Sequence, residues 1–187
     1  MSKYNDLRID ILCEDIAHHR FIRKYLEYKG VGKRNIKDFG NLKSHNNGTV
    51  LKHYPECVKT YRSKANHQKN ITLVVMIDAD DKKLEERLRD FDKKLDAKKA
   101  ELNQKTRDDD EKIAIFVPAR NIETWFHYIF GYTDCNEQDD YKKYYTNDDA
   151  HKAAEILAKD ICPDDLPENA LPSLQHACNE LKRLQSD

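Results

Sequence analysis

No stretch of the chain approaches the ~18 consecutive apolar residues that a membrane-spanning helix needs. Its opening residues, Met1-Ser2-Lys3-Tyr4-Asn5-Asp6, carry no apolar signal core. Both absences lead to the expectation of a cytoplasmic protein with no membrane partner. The five cysteines (Cys13, Cys57, Cys135, Cys162, Cys178) are scattered, and no two stand at CxxC spacing, so neither a zinc ribbon nor a CxxC redox motif is supported. Cys13, at the end of a strand-like run, and Cys178, on the apolar face of a helix, read as core thiols. There is no GxxxxGK[ST] run and hence no P-loop of that type. Internal repeats, low-complexity tracts and flexible linkers are also missing.

Charge is plentiful. Asp, Glu, Lys and Arg make up 36% of the 187 residues, and mean hydropathy is -0.93, against roughly 25% charged residues in an average soluble domain. The length suits one domain with a sizeable core. The net charge of -1 conceals an asymmetry: residues 16–70 hold thirteen Lys/Arg against three acids, and the acids are concentrated after residue 70. A segment this basic suits a polyanion, nucleic acid first, or else the two halves neutralise one another within the fold. Lys33, Arg34, Lys43 and Lys52 are the candidate nucleic-acid contacts.

The apolar pattern alternates between strand and helix. Leu7–Leu12 reads as a first strand, and Asp15 as the N-cap of a helix whose apolar face is Ala17, Phe21, Ile22, Tyr25 and Leu26. A short strand over 36–39 follows. The polar loop 40–48 then leads into a helix that Pro55 either begins or kinks. Leu73–Ile77 is a continuous apolar run, as in a strand buried on both faces. Leu84, Leu88, Phe91, Leu95 and Leu102 predict a long helix ending near Lys105. Ile113–Val117 predicts a fourth strand, and Ile122, Trp125, Phe126 and Ile129 one helix face. Two more helices are expected over about 148–160 and 171–185. The tyrosine-rich segment 131–147 reads as packing or surface. The whole predicts an α/β, Rossmann-like fold: a parallel sheet of about four strands with helices on both faces over residues 1–130. A helical extension, 131–187, packs on the same domain.

Chemistry concentrates at strand ends. Asp78, Asp80 and Asp81 follow the third strand at once, and Glu14 follows the first. C-terminal tips of parallel strands share one side of a sheet, so these acids can meet there. Carboxylates so placed hold Mg²⁺ or Mn²⁺, or else they open and cap the following helix. Glu123, just past the fourth strand, is added on the same geometry. His18, one turn after Glu14, and Arg120 are candidates to brace the carboxylates from behind.

An apolar strand ending in Glu14, then one ending in Asp78-Ala79-Asp80, in a β/α alternation of this size, resembles the TOPRIM domain of topoisomerases, primases, small ribonucleases and OLD-type nucleases. The stretches ILCED, MIDADD and PARNIETW are similar to the small stand-alone TOPRIM-like proteins of bacterial anti-phage loci, often encoded beside an ATPase. The resemblance covers about residues 7–130. It implies a Mg²⁺- or Mn²⁺-dependent nuclease with Glu14, Asp78 and Asp80 as catalytic metal ligands and Asp81 as a further or alternative ligand. It implies nucleic acid as substrate and an ATPase or larger defence complex as partner. The family glutamate is commonly followed by glycine, with an acid four residues after it. Asp15 and His18 stand there instead, which keeps open a non-catalytic module that binds nucleic acid or docks on an ATPase.

Overall fold

The computed structural model describes residues 4, 6–39, 46–103, 105–162 and 166–184. Four parallel strands, β1 (Arg8–Cys13), β2 (Ile36–Asp38), β3 (Ile71–Met76) and β4 (Ile113–Phe116), form one sheet in the order β2-β1-β3-β4. Helices α1 (Ile16–Tyr28), α2 (Asn47–Ala65) and α3 (Leu84–Ala97) make the crossovers. The short α4 (Lys99–Leu102), then α5 (Ile122–Ile129), α6 (Asp149–Ile156) and α7 (Pro172–Lys182) complete the elements. This is the Rossmann-like α/β arrangement that the alternating pattern predicts. Among the described residues, no helix is long and apolar enough to cross a membrane.

The central position of β3 explains why its sequence does not alternate: all six of its residues are buried, because helices cover both faces. Ile9, Ile11, Cys13, Val74, Met76, Ala114 and Phe116 pack under α1, α5, α6 and α7. On the other face, Leu12, Leu73, Val75, Ile113 and Ile115 pack under α2 and α3. The strand order accounts for this division. The chain leaves β1 toward one sheet edge and later returns to build β3 and β4 on the other side. Right-handed crossovers in opposite directions place α1 and α3 on opposite faces. The tips of β1 and β3 therefore point into a crevice from which their two helices diverge, the point where such sheets take ligands.

Several boundaries move. α2 begins at Asn47 and carries Pro55 inside it; the ring removes one helical N–H, a loss the buried contacts of Tyr54 and Val58 outweigh. The expected long helix after β3 stops at Ala97, and α4 ends at Asn103 with φ 51, a left-handed position that asparagine tolerates. α6 continues into a π-helical turn, Leu157–Ile161. Cys178 is buried, but it is not a free thiol. It is bonded to Cys162, a pairing 16 residues apart that no CxxC search detects and that only the turn before α7 brings together.

The C-terminal region is part of the sheet's integrity. Ile113 and Ile115 direct main-chain groups away from β3, at an edge where no further strand pairs among the described residues. Side chains stand in for that strand. The Glu180 carboxylate accepts from the Ile115 N–H at 2.9 Å, and His176 Nε2 lies 3.2 Å from the Ile115 carbonyl. Arg107 binds the Ile113 carbonyl at 2.7 Å and pairs with Glu180. An edge covered in this way offers no template to another chain.

Candidate metal centre

Glu14 continues the β1–β3 ladder one residue past the strand, its N–H donating to the Met76 carbonyl at 3.2 Å. Its carboxylate reaches across to the second tip, Oε2 accepting from the Asp78 N–H at 2.9 Å. Asp15 turns the chain into α1 as its N-cap, accepting from the His18 N–H at 2.9 Å. That turn delivers the His18 ring into the crevice, fully buried. Its Nδ1 stands 2.8 Å from Asp15 Oδ1 and its Nε2 2.8 Å from Asp78 Oδ1.

An imidazole with a carboxylate oxygen at each nitrogen satisfies both only as the doubly protonated cation. Burial alone would lower the His18 pKa, but the Asp78 charge and the bonds to both acids hold it well above its ordinary value. Burial pushes the other way on Asp15 as well, yet the His18 bonds and charge bring that acid down to about 2. Asp78 is raised by burial, with His18 opposing. Glu14 is pushed up to about 7, by burial first and by the Asp78 charge second. Glu123, buried at the start of α5, is raised by burial and then, against its own backbone N–H, by Asp78.

One ligand atom each from Glu14, His18 and Asp78 lies within 4.8 Å of the other two. Donors bonded at ~2.1 Å to a shared ion stand up to about 4.2 Å apart, so the three close around a small divalent cation with little movement, once the proton on His18 Nε2 has left. The donor set fits an ion that accepts nitrogen as well as oxygen. Mn²⁺ suits that mixture better than Mg²⁺, which prefers oxygen alone.

The pKa of Glu14 makes a testable demand. Below about pH 7 its carboxyl holds a proton with which an ion must compete. Mn²⁺ affinity is expected to rise with pH, by up to about a hundredfold per unit below 7, where the ion displaces a proton from both Glu14 and His18, and by about tenfold per unit above 7, where only the His18 proton remains to be displaced. Electron paramagnetic resonance titrations of free Mn²⁺ at several pH values measure this, and a pH-independent affinity overturns it. The metal-free protein should change in the opposite sense. The folded carboxyl keeps a proton that an unfolded one has lost above 4.5, so the contribution of Glu14 to stability declines between about 4.5 and 7.

The chain matches no protein-family model, no curated protein and no solved structure. Its site is therefore read on its own geometry.

Of the residues expected at the site, Glu14, His18 and Asp78 converge, and Glu123 lies near enough for the Asp78 charge to raise it. Asp80 stands beside them, and its charge raises both Glu14 and Asp78, but its carboxylate is bound by Arg87 Nη2 at 3.1 Å and its side chain is 54% exposed. Asp81 is outside the group and pairs with Arg120. Asp80 and Arg120 both hold left-handed backbone, φ 54 and 62, and bridge one another through the Asp80 N–H and the Arg120 carbonyl at 3.0 Å. Strain of this kind clusters at functional sites.

The basic candidates separate. Lys33 and Arg34 immediately precede β2, which runs parallel to β1, so they lie at the N-terminal end of the sheet and not beside the carboxylates. Lys52 is exposed in the second turn of α2, at the carboxylate end. Lys43 lies outside the described residues.

Two participants were missed in sequence. Asp15 is legible in sequence as a cap and as a departure from the family's glycine, but not as the residue that orients His18. Arg87 stands among Leu84, Leu88 and Phe91 on the inward stripe of α3, and a cation on an apolar stripe was the available signal. It is 5% exposed and also donates to the Ala79 carbonyl at 3.1 Å.

Proposed function

We propose that this chain is a divalent-metal-dependent phosphodiesterase acting on nucleic acid, with its centre at Glu14, His18 and Asp78. The observation that carries the reading is the convergence of these three side chains at the β1/β3 crevice. Glu14 and Asp78 would hold the ion through oxygen and His18 through Nε2. A divalent ion there supplies Lewis-acid polarisation of a phosphate oxygen. Asp15 fixes the imidazole through Nδ1, and Arg87 fixes Asp80. The TOPRIM resemblance extends the proposal to bacterial anti-phage defence and to an ATPase partner.

A second reading rests on a specific observation. His18 and Arg87 already pair with Asp15, Asp78 and Asp80 from within the chain, the arrangement of a fold that keeps its shape without metal and only binds nucleic acid or a partner protein. Incubating the purified chain with single- and double-stranded DNA and RNA, in Mg²⁺, Mn²⁺ or chelator, separates the two. Phosphodiesterase action requires cleavage that a chelator abolishes. Binding without turnover on every substrate and metal assigns the second reading.

A further inference from the structure

At the N-terminal end of the sheet, three strand positions on the α2 face are charged where that face is otherwise apolar. Arg8 and Asp10 of β1 alternate with Ile9 and Ile11 of the opposite core and share the side of Leu12. Lys37 of β2 is the register partner of Asp10 and so lies on the same side. With Arg34 and Asn35 from the turn before β2, and Lys64 and Gln68 from the end of α2 and the loop after it, they line a cleft of about 420 Å³ over Ile9 and Ile71. A strand that gives up its apolar pattern where a helix lies alongside marks a site more often than a packing accident.

The charges in this cleft do not cancel. Four cations face one carboxylate, and Asp10 is taken by Lys64 at 2.5 Å. Arg8 has the neutral Gln68 amide at 3.3 Å. Among the described residues, neither Arg34 nor Lys37 makes an ion pair or a side-chain hydrogen bond. Like charges held together in a concave wall repel until an anion joins them. Guanidinium forks and ammonium groups match the spread charge of phosphate oxygens. Walls from β1, β2 and α2 enclose a volume within the ~300–1,000 Å³ of small-ligand sites.

We propose that this cleft binds a polyphosphorylated small molecule of nucleotide size. It is separate from the carboxylate centre: Asp10, the lining residue of β1 that comes furthest along the strand, precedes Glu14 by four residues, about 13 Å at ~3.3 Å per residue. The ligand would therefore act as a second input to the protein rather than as the group being hydrolysed.

Calorimetric titration of the full chain with ATP and with inorganic tripolyphosphate, without divalent metal, tests this. Saturable binding of either supports the proposal, and tighter binding of ATP identifies a nucleotide in place of a bare polyphosphate. The double variant Arg34→Glu/Lys37→Glu, altered at two exposed positions and checked for an unchanged melting temperature, should weaken binding at least ~10-fold. Asp78→Asn should leave it unchanged. Absence of binding to the native chain, equal binding by the double variant, or loss in Asp78→Asn overturns the proposal. So does a single-stranded oligonucleotide that displaces both probes and is itself lost in the double variant, because the cleft would then hold a nucleic-acid backbone.

Discussion

Replacing Asp78 by asparagine is expected to lower metal-dependent cleavage about 10²–10³-fold, corresponding to several kcal/mol of charge stabilisation lost from the transition state. The size follows from position. Asp78 is buried, receives His18 Nε2 at 2.8 Å, and through its own N–H anchors the Glu14 carboxylate at 2.9 Å, so one substitution removes a ligand and the counter-charge of the imidazolium. Asparagine keeps the shape and the main-chain bond to Glu14, so circular dichroism and the melting profile should still show a folded protein. Asp80→Asn provides the contrast. Its carboxylate is turned to Arg87 and half exposed, and a loss of about 10-fold is expected, as for a group acting from behind the ligands. Single-turnover rates on a labelled oligonucleotide at saturating Mn²⁺ measure both. Equal losses would mean that Asp80 leaves Arg87 to join the ion. Full activity in Asp78→Asn would remove this centre from the reaction.

The second large effect is on stability. Glu180→Ala should destabilise the fold by about 3 kcal/mol. Glu180 is buried and accepts the edge N–H of Ile115 while pairing with Arg107 and, at 3.0 Å, with Arg183. Alanine leaves a buried donor unsatisfied and the mostly buried Arg107 guanidinium without its carboxylate. Glu180→Gln retains an acceptor for Ile115 and should lose less than half as much. Urea denaturation followed by tryptophan fluorescence is suited to the comparison, because Trp125 packs in the same core and donates to Ser173 of α7 at 2.8 Å. A change under 1 kcal/mol in the alanine variant would show that α7 is not what completes the sheet.

The placement of α7 also shows where reading the sequence stops. Its helical period was legible, but a glutamate in the last turn of an amphipathic helix looks like any surface acid. Its work as a substitute strand depends on β4 being the sheet's edge, which strand order alone determines. His18 is similar. Its position one turn after Glu14 was visible, and so was the absence of an acid there. That both its nitrogens would meet carboxylates required β3 to lie beside β1.

What the sequence determined by itself is local and periodic: strands from continuous apolar runs, helices from 3.6-residue stripes, the Asp15 cap, and acids set directly after two strands. These depend on neighbours a few residues away, and the chain carries them wherever it goes. The tertiary structure alone decided which of those acids meet. Strand order brought the tips of β1 and β3 together over 64 residues and closed Glu14, His18 and Asp78 into one group. Left-handed backbone at Asp80 and Arg120 and the reach of Arg87 set Asp80 and Asp81 apart. Parallel pairing of β2 with β1 sent Arg34 to the far end of the sheet. The reason is common to all three. A carboxylate's partner and protonation are set by what stands within a few ångströms of it, and sequence spacing does not specify that distance across a crossover.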